Sequence, residues 1–352
     1  MTHGARASAA CGRGDAREAA TALCVVGSAP PPGAAAEPGR RDFAILVPAY
    51  EEVDNVDALY AAFRAAFDAH GLDGEVVFVD DGSHDGTYAA ACRAAVASEL
   101  RGTVLRHRVN RGKTQALLTA AAATDATYVI PFDADLQYAP AEIPHLLARL
   151  DDGWDIVAGR KVGVYEKRWV SRIYNGLAVR LFGVPARDLN GLKALRREVL
   201  YAVPLRHDWH RLLVVLAHAR GYTVTEMEVA LHPRRAGSSK FAGHGRILVG
   251  VADLLVVWFY LRFAAKPMQF FGGAGVLLGS AGVFLGAVAI ALRALHVGPP
   301  PVGYRPLLEL VVLLVVLGAM LVGVGFLAEM IAILRDDVET LRRERGREGV
   351  SR

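Results

Sequence analysis

The sequence predicts an α/β fold: a doubly wound, mostly parallel sheet, followed by an interfacial helix and a two-helix transmembrane hairpin. Three observations predict it. Between Arg41 and Arg160, short apolar runs alternate with amphipathic stretches of helical length, the pattern of βα units. Glu52, Asp80, Asp81, Asp133 and Asp135 all fall just after those runs, at the strand ends where open α/β sheets bind ligands. Toward the C-terminus, two uncharged stretches are each long enough to cross a bilayer as a helix.

With 352 residues the chain has room for one large domain with additions, or for two. Hydrophobic residues make up 53%, and the excess sits at the C-terminal end, where the spans are placed. The net charge of +4 is mild. Such a charge fits nucleic acid, an anionic membrane surface or phosphate-bearing substrates, and location must choose among them. Cys11, Cys24 and Cys92 are odd in number and lack ligand spacing, so they read as reduced cytosolic thiols without a disulfide framework or zinc site.

In chain order, residues 1–40 are rich in Ala, Gly, Pro and Arg and read as a disordered tail. The weak apolar run Ala19–Ala29 resembles a signal peptide, but Gly27 and Pro30–Pro32 interrupt it. Residues 41–241 form the α/β domain. Phe43–Val47 is its first strand. The following helix carries Val56, Leu59, Tyr60, Phe63 and Phe67 on one face, at i, i+3, i+4, i+7 and i+11. Strand Glu75–Val79, helix Thr87–Ala97, strand Thr103–His107, helix Thr114–Ala123, a strand at Tyr128 and a fifth strand, Asp155–Ala158, complete the pattern.

The stretch Tyr128–Tyr138, YVIPFDADLQY, delivers Asp133 and Asp135 just past a strand, with Gln137 beyond. Alternate residues of an extended segment point the same way, so the three side chains can converge. Hard oxygen ligands held so suit Mg²⁺ or Mn²⁺ sharing its shell with substrate phosphates. An acidic turn is the plainer reading of an isolated D-x-D. No G-x-G-x-x-G follows the first strand, which disfavours a dinucleotide fold. N-R-G-K-T at 110–114 resembles the tail of a phosphate loop, but His107 stands where that loop needs glycine.

No charge occurs between Lys266 and Arg293, about 26 positions, and Leu310–Ala328 adds about 19 uncharged residues. The hairpin is therefore placed at 267–334, with spans at about 270–292 and 307–334. Arg246, Arg262 and Lys266 flank one side. Arg335, Arg342, Arg343, Arg345 and Arg347, in the basic tail 335–352, flank the other. The positive-inside rule then puts both termini and the α/β domain in the cytoplasm, on a multi-pass protein of the inner (cell) membrane. Residues 242–266 read as an amphipathic interfacial helix with Trp258 and Tyr260 at headgroup level; a third span is the alternative.

Together, V-P-A-Y-E-E (47–52), V-D-D-G-S-H-D-G-T (79–87), N-R-G-K-T-Q-A-L (110–117) and F-D-A-D-L-Q (132–137) resemble the family 2 inverting glycosyltransferases of GT-A fold. G-R at 159–160, K-R-W-V-S-R-I-Y-N at 167–175, D-L-N-G-L-K at 188–193 and H-P-R-R-A-G-S-S-K-F at 232–241 narrow this resemblance. They point to the polyprenyl-phosphate branch, which includes dolichol-phosphate mannose synthases and bacterial undecaprenyl-phosphate sugar transferases. The G-F-L-A-E-M at 325–330 is similar to the two-span bacterial members. One departure stands out: Asp188 and Gly191 are separated by two residues, where the family pattern has three.

The resemblance implies transfer of a sugar from a UDP- or GDP-sugar to a membrane polyprenyl phosphate, with inversion and with no nucleic acid as partner. Asp133, Asp135 and Gln137 would hold Mg²⁺ or Mn²⁺. Pro48, Tyr50, Glu52, Asp80, Asp81 and Lys113 would serve the donor; Asp135 and Asp188 would act in catalysis. Arg160, Arg168, Ser171, Arg234 and Lys240 would receive the acceptor phosphate; a basic face meeting lipid headgroups is the alternative. His207 and His210 have no adjoining carboxylate or thiol and read as packed or hydrogen-bonded, while Trp209 and Arg211 read as structural. A processive polysaccharide synthase would need a Q-x-x-R-W-type motif, which His210-Arg211-Leu212 echoes poorly. The other alternative is a non-catalytic membrane scaffold. Monomer and homo-oligomer both stay open.

Overall fold

The computed structural model describes residues 20–26, 42–162, 168–206, 208–233, 245–264, 266–295 and 305–350. The chain divides into two units, Met1–Ile247 and Leu248–Arg352.

The first unit opens with β1 (Ala20–Val26), β2 (Phe43–Ala49), α1 (Val53–His70), β3 (Glu75–Asp80), α2 (Thr87–Ser98), β4 (Gly102–His107) and α3 (Lys113–Ala122). It continues through β5 (Tyr128–Pro131), α4 (Ile143–Asp151), β6 (Ile156–Val162), α5 (Arg168–Phe182), β7 (Lys193–Arg196), α6 (Arg197–Ala202), α7 (Leu213–His218) and β8 (Val224–Ala230). The strands form one eight-stranded sheet in the order β1-β4-β3-β2-β5-β7-β6-β8. Strands β4, β3, β2 and β5 are mutually parallel, as βα alternation demands.

Strand β7 runs antiparallel to both neighbours, β5 and β6, so its first residue rather than its last lies at the ligand edge. Here two glycines are required. A Cβ on Gly191 would stand 1.8 Å from the Gly159 carbonyl oxygen, and the Gly159 N–H donates to Leu192 O at 2.6 Å.

The core confirms the helical face read from the sequence: Val56, Leu59, Tyr60, Phe63 and Phe67 of α1 are all buried. Phe63 meets Phe132 edge-on, ring centres 5.1 Å apart. Pairing of β2 with β5 ends at Leu46 and Pro131, and the Phe132 N–H still donates to Leu46 O at 2.9 Å. Phe132 is thus held in the core, and Asp133 is the first side chain over the sheet edge.

Two expectations are corrected. Ala20–Val26, read as part of a disordered tail, is an edge strand antiparallel to β4; its short apolar run had no local periodicity to announce it. The fifth strand of the pattern, β6, extends to Val162 because β8 supplies a parallel partner along its whole length. The sheet is mostly parallel as expected: β8 runs parallel to β6, and β7 is antiparallel to both of its neighbours. In the second unit, the basic stretch after residue 334 continues the helix to Val350.

That second unit holds α8 (Gly245–Phe263, starting at its boundary), α9 (Pro267–Ala294) and α10 (Arg305–Val350). Pro267–Ala294 and Arg305–Arg335 are long and apolar enough to cross a membrane. Large apolar side chains such as Leu277, Phe284, Ile290, Leu313, Leu327 and Ile331 stand exposed along them, the arrangement of lipid-facing helices. The helices approach closely at Gly275 and Gly318, where a Cβ on either would lie 2.6–2.7 Å from the other's carbonyl oxygen. The Glu329 carboxylate accepts the Met268 N–H at 3.1 Å, satisfying an otherwise orphaned donor in the first turn of α9. Phe259, Phe263, Phe270 and Phe271 cluster beside it, joining α8 to α9.

Truncating Phe63 to Ala removes the ring that holds Phe132. The catalytic unit should lose about 3–5 kcal/mol in denaturant unfolding, with Phe63→Leu costing clearly less. Equal costs for the two substitutions would show that the ring contact is not what matters.

Candidate active site

The sheet's ligand edge opens into a cavity of about 700 Å³, a size suited to a nucleotide-sized ligand. Its walls come from Pro48–Tyr50 and Glu52 at the end of β2, Asp81 after β3, Asn110, Gly112 and Lys113 at the start of α3, and Asp133–Asp135 after β5. Asn190–Lys193 at the start of β7, and Asp208, His210 and Arg211 before α7, close the opposite side.

Asp81 organises the first wall. It is buried, and its two oxygens accept from Arg111 N at 2.9 Å and Gly112 N at 2.8 Å, with His107 Nδ1 at 2.7 Å. His107 Nε2 lies 3.0 Å from the Thr119 hydroxyl, which can donate or accept, so a ring that donates from Nδ1 to Asp81 serves both contacts. This explains a histidine where a phosphate loop would need glycine. Gly112 sits at φ 85° and ψ 155°, open only to glycine, and starts α3 with Lys113 as its first residue.

Asp80 points elsewhere. It is wholly buried, accepts the Ser83 N–H at 3.0 Å and pairs with Arg106 Nε at 3.2 Å. It does not line the cavity. Ser83 and Thr87 hydroxyls in turn accept the backbone N–H groups of Glu51 and Glu52, at 2.8 and 2.9 Å, so the loops after β2 and β3 are laced together.

In the D-A-D segment, Asp133 is part-exposed and ion-paired with Lys113, while Asp135 is buried. Burial pushes the Asp133 carboxyl up, but the charge and hydrogen bond of Lys113 outweigh it and hold it below the usual carboxylate range. Asp135 Oδ1 also accepts the Gln137 N–H at 3.2 Å, and Leu136 between them takes a left-handed φ of 54°. Non-glycine residues in that region are costly and tend to persist at functional loops. The turn directs Gln137 away from the cavity wall; its carbonyl instead accepts the His232 N–H at 2.8 Å. That bond ties the D-A-D loop to the start of the basic segment 232–241.

Lys193 and His210 were not singled out as site residues in the sequence. Lys193 is buried, and burial with Lys113 nearby pushes its ammonium down to about 8. It lies between Leu192 and Ala194 in an apolar strand, the one local sign that this lysine is unusual. Burial, with Lys113, Lys193 and Arg211 nearby, pushes the His210 imidazole down to about 2. His210 Nδ1 contacts the Thr114 hydroxyl at 3.0 Å, which fits the hydrogen-bonded role expected of it. Trp209 is buried as expected, but Arg211, expected to be structural, joins the wall.

Asp188 and Arg160 are not among the residues that line this wall. Asp188 is buried and accepts from Asn190 N at 3.1 Å and Asn175 Nδ2 at 3.5 Å, with Lys161 Nζ at 3.8 Å. It shapes the loop that presents Asn190 and Gly191. Arg160 pairs with Glu226 and Glu228 of β8. Arg168 and Ser171 lie on α5, and Arg234, Lys240 and His207 lie outside the described residues.

Among the described residues, no three His, Cys, Asp or Glu side chains cluster as a complete metal site. Asp133 and Asp135 fit a cation that takes the rest of its oxygen shell from a ligand's phosphates and water. The wall carries five carboxylates against three cationic side chains, so an anionic ligand entering it would need a compensating cation.

Two outcomes follow. Asp81→Ala strands three donors and should destabilise the catalytic unit by roughly 2–4 kcal/mol in chemical unfolding. His210 in the folded chain binds its proton far below the ordinary 6.5, so the unfolded chain is protonated first. Its contribution is full above pH 6.5 and declines as pH falls below it, and His210→Gln should flatten that acid slope in thermal unfolding.

Comparison with known proteins places the chain. The profile of glycosyl transferase family 2 matches residues 44–201. The chain is 29% identical over 306 residues to a dodecaprenyl-phosphate galacturonate synthase of Rhizobium johnstonii, covering 84% of this chain and 90% of that protein. It is 30% identical over 299 residues to an undecaprenyl-phosphate 4-deoxy-4-formamido-L-arabinose transferase of Edwardsiella ictaluri, with 84% and 90% covered. Among solved structures, a mycobacterial protein superposes with a TM-score of 0.50 at 20% identity, over 63% of this chain and 75% of that one, and shares the fold. A chain aligned over nine-tenths of such relatives, with its ligand edge built as described, belongs to glycosyl transferase family 2.

Proposed function

We propose that this protein is a membrane-anchored glycosyltransferase that moves one sugar from a nucleoside-diphosphate sugar to a polyprenyl phosphate, with inversion. The observation that carries this reading is the D-A-D pair facing the Pro48–Glu52 wall across one cavity, in a chain that ends in a membrane hairpin. Relatives with polyprenyl-phosphate acceptors align over both parts of the chain.

Pro48, Tyr50, Glu52 and Asp81 would take the nucleoside, Glu52 and Asp81 through acceptor oxygens suited to base N–H or ribose hydroxyls. Asp80 would act from behind, holding the turn through Ser83 and Arg106. Asp133 and Asp135 would hold Mg²⁺ or Mn²⁺, which when bound neutralises charge on the departing diphosphate. Lys113 would orient Asp133. Gln137 would steady the loop through its main chain.

The acceptor's phosphate monoester has a second pKa near about 6, so the attacking oxygen is already ionised and a strong base is unnecessary. Catalysis then rests on aligning that anion behind the sugar carbon, opposite the leaving diphosphate. Arg160, Arg168, Ser171, Arg234 and Lys240 would hold the acceptor phosphate, with Arg160 exchanging its Glu226 and Glu228 partners for it. Asp188 would set the loop beside the sugar. The catalytic unit and both termini would face the cytoplasm, as the flanking arginines favour.

The test is incubation of the full chain, in detergent or nanodiscs, with undecaprenyl phosphate, Mn²⁺ or Mg²⁺ and a panel of UDP- and GDP-sugars. Mass spectrometry should show a single-sugar lipid phosphate, and Asp135→Asn should lower its rate roughly a hundredfold. Folded protein giving no lipid-linked product from any donor would sink the proposal.

A further inference from the structure

Among the described residues, Lys193 carries a charge without an ionic partner. It is 8% exposed, and it lines the cavity. Its ammonium donates to the Leu189 carbonyl at 3.1 Å, one neutral contact for a group with three donors. The two carboxylates that act on it electrostatically are both engaged by other lysines: Asp133 by Lys113 and Asp188 by Lys161. Among the described residues, no carboxylate lies within ion-pairing distance of Lys193 itself.

Burying an ammonium without a counter-charge is expensive, and an apolar side chain of similar volume at the start of β7 would be cheaper. The strand's direction supplies the reason for its position. Because β7 runs antiparallel, Lys193 is its first residue and stands at the ligand edge beside the D-A-D segment.

We infer that Lys193 is an anion-binding residue of this site, whose ammonium receives an anionic oxygen of the sugar-nucleotide donor. That oxygen belongs to the diphosphate or to a carboxylate on the sugar. The inference rests on the proposed donor chemistry and adds to it a residue and the kind of atom it holds. Arrival of the oxygen completes the ion pair that the folded protein lacks, so Lys193 contributes to binding at the expense of stability.

The experiment compares wild type, Lys193→Met and Lys193→Arg as full chains in detergent with Mn²⁺. Calorimetry measures binding of UDP, GDP, UDP-glucose and UDP-glucuronate, and thermal unfolding is recorded without nucleotide. Lys193→Met should weaken binding about tenfold or more, and Lys193→Arg should retain most of it. A loss shared by the bare nucleoside diphosphate assigns the oxygen to the diphosphate; a loss confined to UDP-glucuronate assigns it to the sugar carboxylate. Without nucleotide, Lys193→Met should melt at or above the wild-type temperature. A lower melting temperature would assign Lys193 to packing and overturn the inference, as would binding within twofold of wild type for every probe. Wild type that binds none of the probes overturns the donor chemistry itself, and the inference with it.

Discussion

The close approach of Gly159 and Gly191 sets the geometry of the ligand edge. With no room for a Cβ between them, the chain entering β7 is pressed against the middle of β6, and the first residue of β7 has one place to go. A sheet that continued parallel would present only strand C-termini there. The reversed strand adds an N-terminus, with Asn190, Gly191 and Lys193, to a wall otherwise built from βα loops. One of the cavity's three cationic side chains, Lys193, comes from this reversal.

The acidic residues at the strand ends look alike in sequence, but their partners divide them. Asp80 is consumed by Arg106 and Ser83. Asp188 is consumed in the same way by its own loop. Asp81 braces His107 and the main chain of Arg111 and Gly112 while still lining the cavity. Asp133, part-exposed and ion-paired with Lys113, faces the cavity together with the buried Asp135.

The parallel half of the fold was legible because each βα unit there is local. The face of α1 follows from helical spacing, and the strand ends follow from where apolar runs stop. What escaped was non-local. Strand β7 is four residues long and exists through its pairing with β5 and β6, and β1 exists through its pairing with β4. In the site, Asp133, Asp135 and the Pro48–Glu52 loop could be read from motifs, and the structure brings them to one cavity. Gln137 could not be placed correctly, because the left-handed Leu136 breaks the alternation on which that reading relied. Lys193 and Arg211 were obscured because burial and cavity lining are properties of the assembled sheet.

Strand β1 lies ahead of the segment matched by the family profile, which begins at residue 44, yet it covers the open side of β4 from Gly102 to His107. A truncated chain starting at the matched boundary would bare the backbone donors and acceptors of β4, an edge that other chains can extend. The exposed ladder would end at His107, the side chain that braces Asp81. Self-association of such a fragment would therefore report a lost protective strand, and it would be wrong to read it as the native quaternary state.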